Sequence, residues 1–162
     1  MRAIFAVTGL GLLGLAACAP RPAVAPAAPA APLPVAGQDW HFHLDGDSAM
    51  LAYGVEASDE LRLRFDCQAG SGRTTLLQPA AQAATEIRLE SGGVTGRWRA
   101  TSEPSHLDDE FLLLAEAPVN APVFTRFRAL GWLTLDSGGE RVGLAAQAVS
   151  VGEIERYFKR CE

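Results

Sequence analysis

From residue 39 onward the chain alternates between apolar and polar positions. In Asp39–Asp45 the residues Trp40, Phe42 and Leu44 are interleaved with Asp39, His41, His43 and Asp45. Leu61, Leu63, Phe65 and Cys67 alternate with Arg62, Arg64 and Asp66, and Ile87 and Leu89 alternate with Glu86, Arg88 and Glu90. Val94, Trp98 and Ala100 alternate with Thr95, Arg97, Arg99 and Thr101. Successive side chains of an extended strand point to opposite faces, so a period of two with one wet face is the pattern of antiparallel strands over a single core. Residues 48–55, 74–78, 110–116, 131–136 and 140–147 read as further strands, separated by Gly-rich or Pro-containing turns. The expected fold is mainly β, with about nine short antiparallel strands that must stack as a β-sandwich or close as a barrel to cover their apolar faces.

Ser91-Gly92-Gly93 and Ser137-Gly138-Gly139 each lie between alternating runs and read as hairpin turns, because glycine takes the positive φ that tight hairpins demand. Helical spacing replaces alternation twice. Asn120 to Leu130 carries Val123, Phe127 and Leu130 on one face, has Pro122 in its first turn and stops at Gly131. Near the C-terminus, Ser150 and Glu153 have the spacing of a capping box, and Ile154, Phe158 and Cys161 share one helical face. That last helix is expected to pack on the β-structure as a lid.

The N-terminus has a different pattern. Arg2 is followed by an apolar run too short to remain as a transmembrane helix and then by small residues before Cys18, which is the layout of a signal peptide. Leu15-Ala16-Ala17-Cys18 resembles the bacterial lipobox. The resemblance implies cleavage before Cys18, a diacylglyceryl thioether on its sulfur and acylation of the freed amine; two or more acyl chains make the anchor effectively permanent. Ala19 in the next position implies carriage to the outer membrane, with the protein on its periplasmic face, in preference to the inner membrane. Residues 19–37 are almost entirely Ala, Pro and Val and read as a polyproline II tether able to reach about 60 Å at about 3.1 Å per residue. The expected organisation is a signal peptide over residues 1–17, a lipidated cysteine and Pro/Ala-rich linker over 18–37, and one periplasmic domain over 38–162.

Composition narrows the partners. The 48% hydrophobic content is raised by alanine in the leader and tether, so the folded part must be judged by its pattern instead. The chain carries a net charge of −5, and cleavage that removes Arg2 makes the remainder one unit more negative, which disfavours nucleic acid and anionic headgroups. With Cys18 acylated, Cys67 and Cys161 remain as an even pair in an oxidising compartment, and a disulfide between them is the natural reading. No C-x-x-C is present to suggest redox chemistry.

His41 and His43 point the same way from one strand, about 7 Å apart, and rotation of both rings can bring them to one zinc or copper ion. Asp39 or Asp45 would add oxygen ligands, and His106, with Asp108 and Asp109, is the remaining source of a third ligand. The plainer reading is a solvated strand face. Leu135-Asp136-Ser137-Gly138 contains the D-[ST]-G of aspartic proteases but also suits a hairpin turn. Gly70-Ser71-Gly72 reads as a turn, and the carboxylates Glu103, Asp108, Asp109 and Glu110 read as a solvated loop. Arg62, Arg64, Arg88, Arg97 and Arg99 would form a basic binding face if their strands are neighbours, suited to a glycan or a carboxylate-rich protein; the interspersed Asp66, Glu86 and Glu90 favour cross-strand ion pairs instead. With no recognisable catalytic triad or phosphate loop, the sequence points to a non-enzymatic binding or assembly module with no resident cofactor. A metal-delivery lipoprotein built on His41 and His43 is the alternative.

Overall fold

The computed structural model describes residues 30–105, 110–137 and 139–162. Among them nine strands form one continuous antiparallel sheet: β1 (Asp39–Asp45), β2 (Ser48–Gly54), β3 (Leu61–Gln68), β4 (Arg73–Ala80), β5 (Glu86–Ser91), β6 (Val94–Pro104), β7 (Phe111–Pro118), β8 (Trp132–Ser137) and β9 (Glu140–Ala145). Two helices complete the fold, α1 (Pro122–Leu130) and α2 (Val151–Cys161). The spatial order is β1-β2-β3-β4-β7-β6-β5-β8-β9, and the sheet curls into a nearly closed barrel with α2 packed on it. Of the two closures that alternation allowed, the chain adopts the barrel.

Strand β6 makes the curvature possible. Its first half pairs with β5, from Ser91↔Val94 to Glu86↔Arg99, and its second half pairs with β7, from Ala100↔Ala115 to Pro104↔Phe111. One long strand thus passes from one side of the barrel wall to the other. Gly96 lets the indole of Trp98 fold back over the strand, since a Cβ there would stand 2.3 Å from the Trp98 ring. The β5–β6 hairpin closes through Gly92 and Gly93 at φ 54° and 83°, as the Ser-Gly-Gly spacing requires.

The barrel interior is aromatic. Trp40 lies 5.1 Å from Tyr53, 5.7 Å from Phe65 and 4.8 Å from Phe127, measured between ring centroids. Both helices pack into this core. Helix α1 inserts Val123, Phe124 and Phe127, and α2 inserts Ile154, Tyr157, Phe158 and Cys161. Burial of each such aromatic side chain is worth about 1.5–3 kcal/mol, so the helices are integral to the core. The apolar face expected for α1 is rotated: Phe124 is buried with Val123 and Phe127, and Leu130, at the C-terminal end, is 40% exposed. The hydroxyls of Tyr157 and Thr74 hydrogen-bond at 2.5 Å, giving the one polar edge of α2's buried face a partner in β4.

The Cys67–Cys161 disulfide joins the end of β3 to the last turn of α2, with 5.8 Å between Cα atoms and 94 residues between the cysteines. A cross-link closing so long a loop removes chain entropy from the unfolded state, up to about 4–5 kcal/mol in the entropic account. The expected capping box at Ser150 does not form. Its backbone is helical, at φ −103° and ψ −3°, and its hydroxyl donates to Asp39, joining the start of α2 to β1, with the Gln147 carbonyl 3.1 Å away.

Strands β1 and β9 do not pair through a ladder, and side chains bridge the seam between them. The Trp40 indole N–H donates to the Leu144 carbonyl at 3.3 Å, the Gln147 N–H donates to Asp39 Oδ1 at 3.0 Å, and Gln147 Nε2 donates to the Val35 carbonyl at 3.1 Å. Pro32 rests against Gly143 on β9, where an added Cβ would stand 2.3 Å from the proline Cβ. Residues leading into β1, which the composition places in the tether, therefore touch the barrel at its seam. No helix among the described residues is long and apolar enough to cross a membrane.

Candidate functional site

His41 and His43 occupy the outward phase of β1, opposite Ala52 and Met50. They line a shallow depression of about 360 Å3 together with Asp39, Glu56, Glu153 and Arg156. His43 is exposed, and His41 is half-buried with Nε2 lacking a hydrogen-bond partner. The carboxylates nearby are committed elsewhere. Asp39 Oδ1 accepts from the Trp40 N–H, the Gln147 N–H and the Ser150 hydroxyl, and Glu153 pairs with Arg156. Asp45 sits at the exposed strand end opposite Ser48. Among the described residues no three His, Cys, Asp or Glu side chains are grouped to hold a metal ion. His106, Asp108 and Asp109 lie outside the described residues, as do Cys18 and the lipobox.

The five arginines do not share one face. Arg62 and Arg64 stand on β3, and β4, β7 and β6 separate them from β5. Arg64 pairs with Asp66 at 2.8 Å along its own strand. Arg88, Arg97 and Arg99 do come together: Arg88 on β5 faces Arg97 on β6, and Arg99 faces Glu86. Arg88 reaches Asp136 at 3.5 Å and Arg97 reaches Glu86 at 4.0 Å, both long for an ion pair. Arg99 has no ion-pair partner among the described residues. Glu90 lies beside Arg88 but is committed elsewhere, accepting from the Gly93 N–H at 2.5 Å and pairing with Arg141 at 2.9 Å.

A groove of about 770 Å3 opens beside Arg97 and Arg99. Its origin is the handover of β6 between neighbours. Pairing with β7 stops at Ala100↔Ala115, whereas β7 continues along β4 to Arg73↔Pro118. Beyond Ala115 the two strands diverge as a fork. The groove is lined by Arg97, Trp98, Arg99, Thr75, Leu114 and Glu116. Trp98 forms its firm wall, stacked on Phe124 at 5.2 Å with 10° between ring planes. Glu116 is held at 2.6 Å by Arg73, so its charge is already compensated. The groove thus presents two guanidinium groups beside a fixed aromatic side chain.

The other sequence motifs serve the fold. Gly70-Ser71-Gly72 forms a turn in which the Gly70 and Gly72 N–H groups donate to the carbonyls of Arg160 and Cys161 at 3.0 and 2.8 Å, holding the end of α2. Asp136 lies on β8 at the hairpin to β9 and faces Arg88. Glu103 and Glu110 are exposed. Alternation assigned Trp98 to the core, and it is packed there; its second role in the groove wall comes from the fork. Gln78 is the functional candidate that sequence reasoning passed over. It occupies the same strand phase as Thr74 and Leu76, and a polar residue at a core position of an alternating run is the signal that marks it. No protein-family model, curated protein or solved structure matches the chain.

Proposed function

We propose that this protein is a lipid-anchored envelope module, tethered through acylated Cys18 to the periplasmic face of the outer membrane, that binds its partner without transforming it. The partner segment is an extended polypeptide rich in carboxylates, and it docks in the fork between β6 and β7. The observation that carries this reading is Arg99, an exposed guanidinium with no ion-pair partner among the described residues, set beside the loosely paired Arg97 over a groove whose carboxylate Glu116 is already neutralised. A guanidinium fork matches a carboxylate in two parallel hydrogen bonds, and an aromatic wall adds contact area at little entropic cost. On a chain of net charge −5, a local basic groove also sets the orientation of an acidic partner. The Cys67–Cys161 disulfide suits the oxidising compartment that the leader implies.

Fluorescence anisotropy with a labelled glutamate-rich peptide and its glutamine counterpart tests the groove. The acidic peptide is expected to bind selectively, with affinity reduced at least about tenfold by the double replacement Arg97→Gln and Arg99→Gln and reduced further by added salt. Equal affinity for the two peptides sinks the groove assignment. Intact-mass analysis and membrane fractionation test the anchor separately, and an unmodified, freely dissolved protein sinks that part.

A further inference from the structure

The end of β4 beside the loop to β5 contains a polar group that the fold does not use. Gln78 is 1% exposed, and neither its Oε1 nor its Nε2 has a hydrogen-bond partner among the described residues. Its side chain lines a cavity of about 490 Å3 beside the loop that joins β4 to β5. Leu113, opposite Gln78 on β7, supplies an apolar wall, and Ala80 lies one step further along the same strand face. Beyond Leu113, opposite it on β6, the Ser102 hydroxyl is also buried without a partner. An amide desolvated without compensation opposes folding, and apolar side chains of similar size are the usual residents of such core positions. A residue retained against that cost at the edge of a cavity has the character of a ligand contact.

The rim defines the ligand's charge. Glu86, Asp136 and Glu140 line the outer part of the cavity; Arg88 is turned toward Asp136 at 3.5 Å and Arg97 stands 4.0 Å from Glu86, which leaves Glu140 without an ion-pair partner among the described residues. An anion would therefore meet a net negative rim and, deeper in, the acceptor oxygen of Gln78. A cationic amine satisfies the rim carboxylates, while an amide carried on the same molecule satisfies Gln78 by donating to Oε1 and accepting from Nε2. Leu113 and Ala80 leave room for a small apolar substituent between the two.

We infer that this end of the barrel is a binding site for a small molecule with a free primary amine and a neighbouring amide, as at the amino end of a short peptide. Gln78 reads the amide, and Glu86 and Glu140 hold the amine. The site shares β4 and β7 with the groove beside Arg99, and Glu86 faces Arg99 across the β5–β6 pair, but Gln78 and Glu140 take no part in the groove.

The probe is alanyl-alanine amide, which carries the amine and two amides but no carboxylate, titrated against the full folded domain by isothermal calorimetry and by amide chemical shifts. Saturable binding with shifts at Ala80 and Leu113 is expected. Acetylation of the probe amine should weaken binding at least tenfold, and Gln78→Leu should abolish it while leaving the circular dichroism spectrum and the melting transition cooperative. Glu140→Gln changes an exposed rim residue, cannot cost the core anything, and should reproduce the loss of preference for the free amine. Absence of binding to the unaltered protein overturns the inference. So does binding that survives both Gln78→Leu and acetylation, which would place the probe elsewhere and leave the amide of Gln78 to buried water.

Discussion

Arg128 joins the ends of the two helices. It donates from Nε and Nη2 to the two carboxylate oxygens of Glu155 at 2.8 and 2.9 Å, donates from Nη1 to Glu162, and lies 5.6 Å over the ring of Phe158. Hydrogen bonding from Arg128 is the main reason that the Glu155 carboxyl is held below its ordinary value of 4.5. A carboxyl depressed in the folded state contributes stability that is present above its ordinary pKa and is lost as pH falls through the lowered one. The melting temperature of the native protein should therefore exceed that of Glu155→Gln near neutrality, and the gap should close as the pH is taken below 4.5. Glu155 is more than a third exposed, so solvent screens the pair and the gap is small. A pH-independent gap in thermal melts would assign the variant's loss to packing instead of charge. Nothing in local sequence pairs these residues, because Arg128 and Glu155 belong to separate helices and meet only when both pack into the same core.

At the level of elements, the nine strands and two helices lie close to where alternation and helical spacing place them. Each side chain's phase is set by the backbone within its own strand, so that signal survives any tertiary arrangement. Helix ends were less legible. Ser150 carries the residue type of a cap, but its backbone at φ −103° and ψ −3° is helical instead of extended, so its oxygen accepts from no first-turn N–H and its proton goes to Asp39. Helix α2 owes its place to Cys67–Cys161 and to the Gly70 and Gly72 amides as much as to its apolar face. Replacing both cysteines by alanine is expected to lower stability by about 2–5 kcal/mol in denaturant titrations. Hydrogen exchange should show the largest loss of protection in α2 and the 70–72 turn. Uniform loss across the barrel would mean that α2 and the sheet unfold as one unit even without the link.

At the level of the whole molecule, closure depends on a seam without strand pairing. Asp39, Trp40 and Gln147 bridge it, and Pro32 lies over Gly143 beside it. Gly143→Ala puts a methyl group into the space of Pro32 on a strand that otherwise tolerates alanine. The expected result is displacement of the segment before Gln38 with little change in global unfolding. Limited proteolysis should cut that segment faster in the variant, at an unchanged melting temperature. A large drop in melting temperature would show that the segment is part of the folding unit and not an attachment to it. The same long-range arrangement decides the surface: it separates Arg62 and Arg64 from Arg88, Arg97 and Arg99, and it opens the fork where β6 changes partners.

The sequence by itself determined the approximate number and the phase of the strands, the two helices and the hairpin glycines, because each rests on local periodicity or local backbone freedom; the pairing of Cys67 with Cys161 is shown by the tertiary structure. Strand order, barrel closure and both sites were decided only by tertiary structure. Alternation states which side of a strand faces the core but not which strand lies next to it, and hydrogen-bond ladders are indifferent to the side chains they bring together. Arg97 and Arg99 became a groove because β6 leaves β7 at Ala100, and Gln78 became a buried, unsatisfied amide because the barrel closed around it.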